Sequence, residues 1–352
     1  MRGRSACCGG SAAARAPSAD RDDISISFDS MANDDTTAAG RRGRPLLALF
    51  LYLLAVFAGG ALLAPWLYEA IQALAPGSKL ARAPFARVEN RALLIVAILG
   101  VFFYVRASGI RRWADVGFDP RRIRWGRVGA GFVVGFVSLA AVCGIALAAG
   151  ARTLTPRTPG ELAGQLLGAL ATAALVAVIE ELLFRGAIFG GLRRAMPWAG
   201  ALVLSSAIYA IVHFMARPAN PPEIDWLSGL RVLPTMLAGM LEPGGLVPAF
   251  LNLTLAGVIL CLAYYFTGDI LLSIGIHAGW IFWLKFYGFL TRAVPGTDQV
   301  FWGTRKLVDG WLAFVALVVV LGVVMVVVRR VAGRANEFAA TTTRSPPSRT
   351  TG

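Results

Sequence analysis

The chain has 352 residues, 57% of them hydrophobic and only 15% charged, against about 25% charged in soluble domains, which excludes a water-soluble globule. The formal net charge is +14, from 34 Lys+Arg over 20 Asp+Glu, but the arginines cluster between apolar runs and no basic stripe carries interleaved aromatics, so nucleic acid is excluded as a partner. Four cysteines are too few and too scattered for a disulfide framework: Cys143 and Cys261 read as packing residues, and Cys7 and Cys8 lack the preceding apolar region that a lipid anchor needs.

In chain order, residues 1–44 are rich in Ala, Ser, Gly, Asp and Arg and read as a disordered tail. Met31 opens a stretch that looks like a natural start. The apolar residues then come in runs of about 20 rather than in alternation, the pattern of transmembrane helices. Eight segments follow, at about 46–73, 92–108, 128–150, 164–192, 198–216, 245–267, 269–290 and 308–329. A shorter apolar stretch near 227–241 holds Arg231 and Pro234 and reads as interfacial or re-entrant. Residues 333–352 form a second polar tail. The expected fold is an all-α, polytopic transmembrane bundle of about eight spans over 45–332, with the lipid bilayer as its first partner.

Orientation follows from the basic loops. Arg41, Arg42 and Arg44 precede the first span; Arg106, Arg111, Arg112, Arg121, Arg122, Arg124 and Arg127 surround the second loop; Arg193, Arg194, Arg329, Arg330 and Arg334 follow later spans. All lie on one side if both termini are cytoplasmic. The loop with Lys79, Arg82, Arg87 and Arg91 dissents.

The fourth span reads LVAVIEELLFRGAIFGGLRR and places Glu180, Glu181 and Arg185 in an apolar helix. An ionised side chain at such depth costs roughly 2.5–3.5 kcal/mol on insertion scales. Glu181 and Arg185 are four apart and can pair on one face. Glu180, turned about 100° away, has no local partner. An internal salt bridge needs one acid, and here there are two. The chain has only two histidines, His213 and His277, both in later apolar spans. Glu180 stands 16 residues before Met196 and His213 stands 16 after Pro197, so antiparallel helices joined there bring both to roughly 24 Å from the turn at 1.5 Å per residue. His277 is less well matched in depth and calls for a tilt or a broken helix.

A carboxylate can take a proton from water, a histidine can hold that water, and a second histidine can donate to a developing oxyanion. That set suits peptide hydrolysis without a covalent intermediate. Ser205 and Ser206 lie on the histidine-bearing helix, but no G-x-S-x-G elbow is present. No cofactor is required. The alternative is zinc held by Glu180, His213 and His277, since two His and one Glu form a catalytic ligand set, although the helical H-E-x-x-H motif is missing.

The runs Glu180-Glu181-Leu-Leu-Phe-Arg185, Tyr209-Ala-Ile-Val-His213 and TGDILLSIGIHAGW with His277 resemble, in order and spacing, the CAAX-protease and bacteriocin-processing family of intramembrane proteases, which includes the Ras-converting enzymes. The resemblance covers about 160–290 and leaves out the outer helices and both tails. It implies a glutamate-activated water, with Glu180 as general base, His213 as its partner, Glu181 and Arg185 in support and His277 at the oxyanion. It also implies substrates cut near a C-terminus. One position departs: Ile281 stands four residues after His277, where the family has Asn, and Asn252 in the preceding span is the candidate replacement.

The leading expectation is therefore an intramembrane endopeptidase acting on a membrane-associated protein or peptide. The alternatives are a non-proteolytic bacteriocin-immunity or assembly factor of the same fold, and a transporter using the two glutamates as proton carriers. No internal repeat is evident, which disfavours a repeat-built transporter. Much Ala, Arg and Gly with only three lysines points to a GC-rich bacterial genome and an inner-membrane location, where a prenylated substrate is not expected.

Overall fold

The computed structural model describes residues 43–121, 123–241 and 247–342. The tail expected at 1–44 falls outside them but for its last two residues, as do Met31, Arg41, Arg42 and Arg122; of the tail expected at 333–352, residues 343–352 fall outside, whereas 333–342 continue the last helix. The described chain is a bundle of helices: α1 (Gly43–Leu74), α2 (Phe85–Ala107), α3 (Trp125–Ala148), α4 (Pro159–Leu192), α5 (Trp198–Ile211), α6 (Ser228–Ala238), α7 (Ala249–Thr267), α8 (Leu271–Leu290), a single turn α9 (Gln299–Trp302) and α10 (Trp311–Thr342). One short antiparallel ribbon, β1 (Arg152–Leu154) against β2 (Thr291–Ala293), ties the end of α3 to the end of α8 with Thr153 opposite Arg292.

The count of eight spans holds only roughly. Among the described residues five helices, α1 to α4 and α7, are long and apolar enough to cross a membrane, and Trp198–Phe214 and Trp311–Val327 are shorter apolar helices. The seventh segment, α8, is a 20-residue helix outside that group, and the reason is its place. Every residue from Leu271 to Phe282 is buried, with α3, α4 and α7 packed around it. A helix screened from lipid by its neighbours can carry a histidine and indole N–H groups, because protein rather than hydrocarbon receives them. The stretch near 227–241 holds α6, an 11-residue helix with Pro234 inside. At about 16 Å it is too short for a hydrocarbon core of about 30 Å.

Glycines set the closest packing. Gly131 and Gly135 of α3 face Gly275 and Gly279 of α8. A Cβ at Gly135 would stand 2.9 Å from the Ile276 carbonyl carbon, and one at Gly279 would stand 2.7 Å from the Phe132 oxygen. The two G-x-x-x-G stripes let the backbones touch, the usual way that helices associate where lipid gives no hydrophobic drive. His277 lies between the two glycines of α8, so this contact fixes the backbone that carries it. At one end of the bundle Gly117, at φ +73°, turns under the Tyr264 ring, and its carbonyl accepts from Ile270 N–H (2.9 Å), which seats the start of α8. Arg127 pairs with Asp269 at the same end.

Candidate active site

Helix α4 begins with a capping box: Thr158 accepts from Glu161 N–H (3.3 Å), Glu161 accepts from Thr158 N–H (2.9 Å), and Pro159 fills the first helical position. It is regular α-helix through Glu181 and then widens into a π-helical segment, Leu182–Phe189. Such wide turns occur often at functional sites. The wider turns leave carbonyls for outside donors, and Ser205 Oγ donates to the Phe184 carbonyl (3.4 Å). Ser205 is thus a buried structural donor rather than a nucleophile.

The structure brings all five expected residues together. Glu181 and Arg185 are both 0% exposed. Glu181 Oε1 lies 3.0 Å from Arg185 Nη1 and accepts from His277 Nδ1–H at 2.8 Å. Glu180 points the other way: its Oε2 lies 4.0 Å from His213 Nε2 and 3.6 Å from His277 Nε2. That Oε2 makes no hydrogen bond among the described residues. His213 sits in a tight turn, Val212–Phe214, that ends α5. Its Nδ1–H donates to the Tyr209 carbonyl (2.6 Å). A carbonyl can only accept, and an ion-paired carboxylate can only accept, so each histidine carries a proton on Nδ1 and turns Nε2 toward Glu180.

His277 reaches this depth on an unbroken helix, so no break is needed.

Tyr209 is the neighbour that spacing alone did not single out. It is 4% exposed, its hydroxyl lies 3.4 Å from His277 Nε2, and the Arg185 guanidinium stacks 4.5 Å from its ring centre. Its place four residues before His213 was the available signal. Asn252 is not at the site: its amide donates to the carbonyls of Val308 (2.7 Å) and Gly310 (2.9 Å) and holds the approach to α10. Ile281 is a buried core residue.

A cavity of about 340 Å³ opens beside these groups. Glu180 and His213 line it, with Val56 of α1, Leu94 of α2, Phe184 of α4 and Ile208 of α5 among its apolar walls. His277 and Tyr209 stand behind Glu180. The zinc alternative would need Glu180, His213 and His277 as one ligand set. No group of three or more His, Cys, Asp or Glu among the described residues is placed to hold a metal ion, so no step below is routed through one.

No match to the chain was found among curated proteins or solved structures. Residues 162–283, which carry Glu180, Glu181, Arg185, His213 and His277, match the family model for type II CAAX prenyl endopeptidase Rce1-like proteins. Over that stretch the helical core that carries these residues is similar to the Rce1-like CAAX endopeptidases.

Proposed function

We propose that this chain hydrolyses a peptide bond of a membrane-associated protein or peptide with a water activated by Glu180. The observation that carries the proposal is the spacing around Glu180. Its Oε2 is 4.0 Å from one histidine Nε2 and 3.6 Å from the other. Both gaps are too long for a direct hydrogen bond and suit a bridging water.

In the proposed reaction the Glu180 carboxylate takes one proton from water while His213 Nε2 holds that water in line. The hydroxide oxygen bonds to the substrate carbonyl carbon, and the carbonyl π pair moves onto oxygen. His277, protonated beside the Glu181 carboxylate, donates Nε2–H to that oxyanion across the gap behind Glu180. The proton on Glu180 then passes to the amide nitrogen, the C–N bond breaks, and the products are a carboxylic acid and an amine. No covalent enzyme intermediate forms. Arg185 and Glu181 neutralise each other in the buried layer, so that Glu181 can orient His277 without a second uncompensated charge. Tyr209 is a positioning residue for His277.

We place the protein in a bacterial inner membrane with both termini cytoplasmic. The test is a comparison of C-termini across the membrane proteome of cells carrying the wild type or Glu180→Gln. The expected result is at least one C-terminus produced only with the wild type. Identical sets of C-termini would overturn the proposal.

A further inference from the structure

Ala97 is the last α2 residue that lines the cavity, and α2 runs on to Ala107. In its last two turns an apolar surface gives way to a cationic one. Phe102 is 54% exposed and Phe103 72% exposed. The Arg106 guanidinium lies 4.7 Å from the Phe102 ring centre, the posture of a cation whose stem covers apolar surface while its head reaches the headgroup level. Gly109, at φ +79°, reverses the chain. Arg111, Arg112 and Trp113 follow, all exposed. Trp125, the first residue of α3, stands exposed beside Arg124.

This turn is fixed at several points. Arg194, from the turn between α4 and α5, donates from Nη1 to the Ser108 carbonyl (3.5 Å). Asp115 accepts from the amides of Arg111 (3.1 Å) and Arg112 (3.0 Å). Trp113 packs edge-on against Phe118. The nearby carboxylates are therefore engaged. Asp119 accepts from the Arg121 amide (3.0 Å). Asp269 pairs with Arg127, and Arg124 stands 3.9 Å from it with its side chain 60% exposed. Arg106, over its ring, and Arg111, engaged through its amide, have no ion pair among the described residues.

We infer that Arg106, Arg111, Arg112 and Arg124, with Trp113 and Trp125, form a docking surface for the phosphodiester headgroup of an anionic phospholipid. Indole rings settle at the level of the headgroups, and arginines clustered at the end of a span attract anionic lipid. Each guanidinium offers a planar fork to phosphate oxygens. The exposed phenylalanines decide between a lipid and a soluble anion. An apolar strip that ends in unpaired cations fits one occupant with acyl chains beside Phe102 and Phe103 and an anion beyond Arg106. A lipid seated there braces the turn whose Gly117 carbonyl receives the first turn of α8. The surface and the cavity lie at opposite ends of α2, so the inference does not depend on peptide hydrolysis.

The test places the full chain in nanodiscs of phosphatidylglycerol and phosphatidylcholine in equal amounts with matched acyl chains. Native mass spectrometry reads the ratio of the two lipids retained. The expected result is a preference for phosphatidylglycerol of about tenfold or more, since each arginine near a membrane surface contributes about fivefold. It falls toward one in Arg106→Gln/Arg111→Gln/Arg112→Gln, and is partly kept in the matching lysine triple, which retains the charge without the fork. The control removes three cations from the other end of the bundle, Lys79→Gln/Arg82→Gln/Arg87→Gln. Helix α2 has 23 residues, roughly 34 Å, so these stand several Debye lengths away and should change the ratio by less than about twofold. All variants should unfold at the wild-type temperature, because the exchanged side chains are exposed. No lipid preference in the wild type, a preference that survives the glutamine triple, or an equal loss in the control triple would overturn the inference. Glycerophosphoglycerol, the headgroup without chains, is the second probe. In large excess it should leave the retained lipid in place; displacement would assign the surface to a soluble anion and the inference would fail.

Discussion

Substituting Gly135 by alanine tests whether backbone contact between α3 and α8 positions the catalytic histidine. The added Cβ would lie 2.9 Å from the Ile276 carbonyl carbon and 3.1 Å from the Ile276 Cα, one residue before His277. Non-bonded carbons rest at about 3.5–4.0 Å, so the helices must separate by at least about 0.6 Å there. His277 then moves relative to Glu181, which holds it at 2.8 Å, and relative to Glu180 at 3.6 Å. A displacement of 1 Å at reacting groups can cost about 10²-fold, so the expected loss in kcat is about tenfold or more. Overpacking adds a stability loss of about 1–3 kcal/mol. The assay pairs cleavage by the purified protein in vesicles with thermal unfolding. Gly144→Ala on the same helix is the control, because nothing lies within 4 Å of its added Cβ. Wild-type kcat in Gly135→Ala would refute the reasoning that the glycine contact sets the site.

Three further outcomes follow from the same geometry. Tyr209→Phe removes the hydroxyl 3.4 Å from His277 Nε2 and should lower kcat about fivefold to tenfold at constant KM, the scale of one net hydrogen bond; a changed KM at constant kcat would assign Tyr209 to substrate binding instead. Glu181→Gln leaves Arg185 charged and unpaired while 0% exposed, so unfolding in detergent should show a loss of about 3–5 kcal/mol, with cleavage falling as well. Chelation followed by zinc addition should leave the rate unchanged in a continuous cleavage assay, and loss with recovery on zinc would restore the metal alternative.

The long helices were legible because twenty-residue apolar runs have few other uses, and the site was legible because its residues are rare in such runs. Glu181 with Arg185 follows from helical spacing alone, and the meeting of Glu180 with His213 follows from equal distances to one turn. Other features depend on which helix lies beside which. The G-x-x-x-G stripes of α3 and α8 stand in the sequence, but nothing there says that they face each other. Spacing therefore left His277 at a mismatched depth. The π-helical widening after Glu181 has no signal in residues that would suit an ordinary helix. Asn252 was a reasonable candidate for the missing asparagine, since both directions around α7 are apolar in sequence; only packing turns it toward Val308 and Gly310. Arg91 of α2 looked like noise in an orientation rule because its place on the cavity wall is a tertiary fact.

The central claim is that Glu180 activates the attacking water. The most direct measurement is kcat for purified Glu180→Gln beside the wild type, on the substrate identified from the wild-type-specific C-terminus. The Glu180 side chain is 24% exposed and its Oε2 makes no hydrogen bond among the described residues, so the isosteric amide should leave the melting temperature in place. The account predicts that kcat falls by at least about 10²-fold, the lower range of general-base catalysis. A folded Glu180→Gln protein that cleaves at the wild-type rate would contradict it.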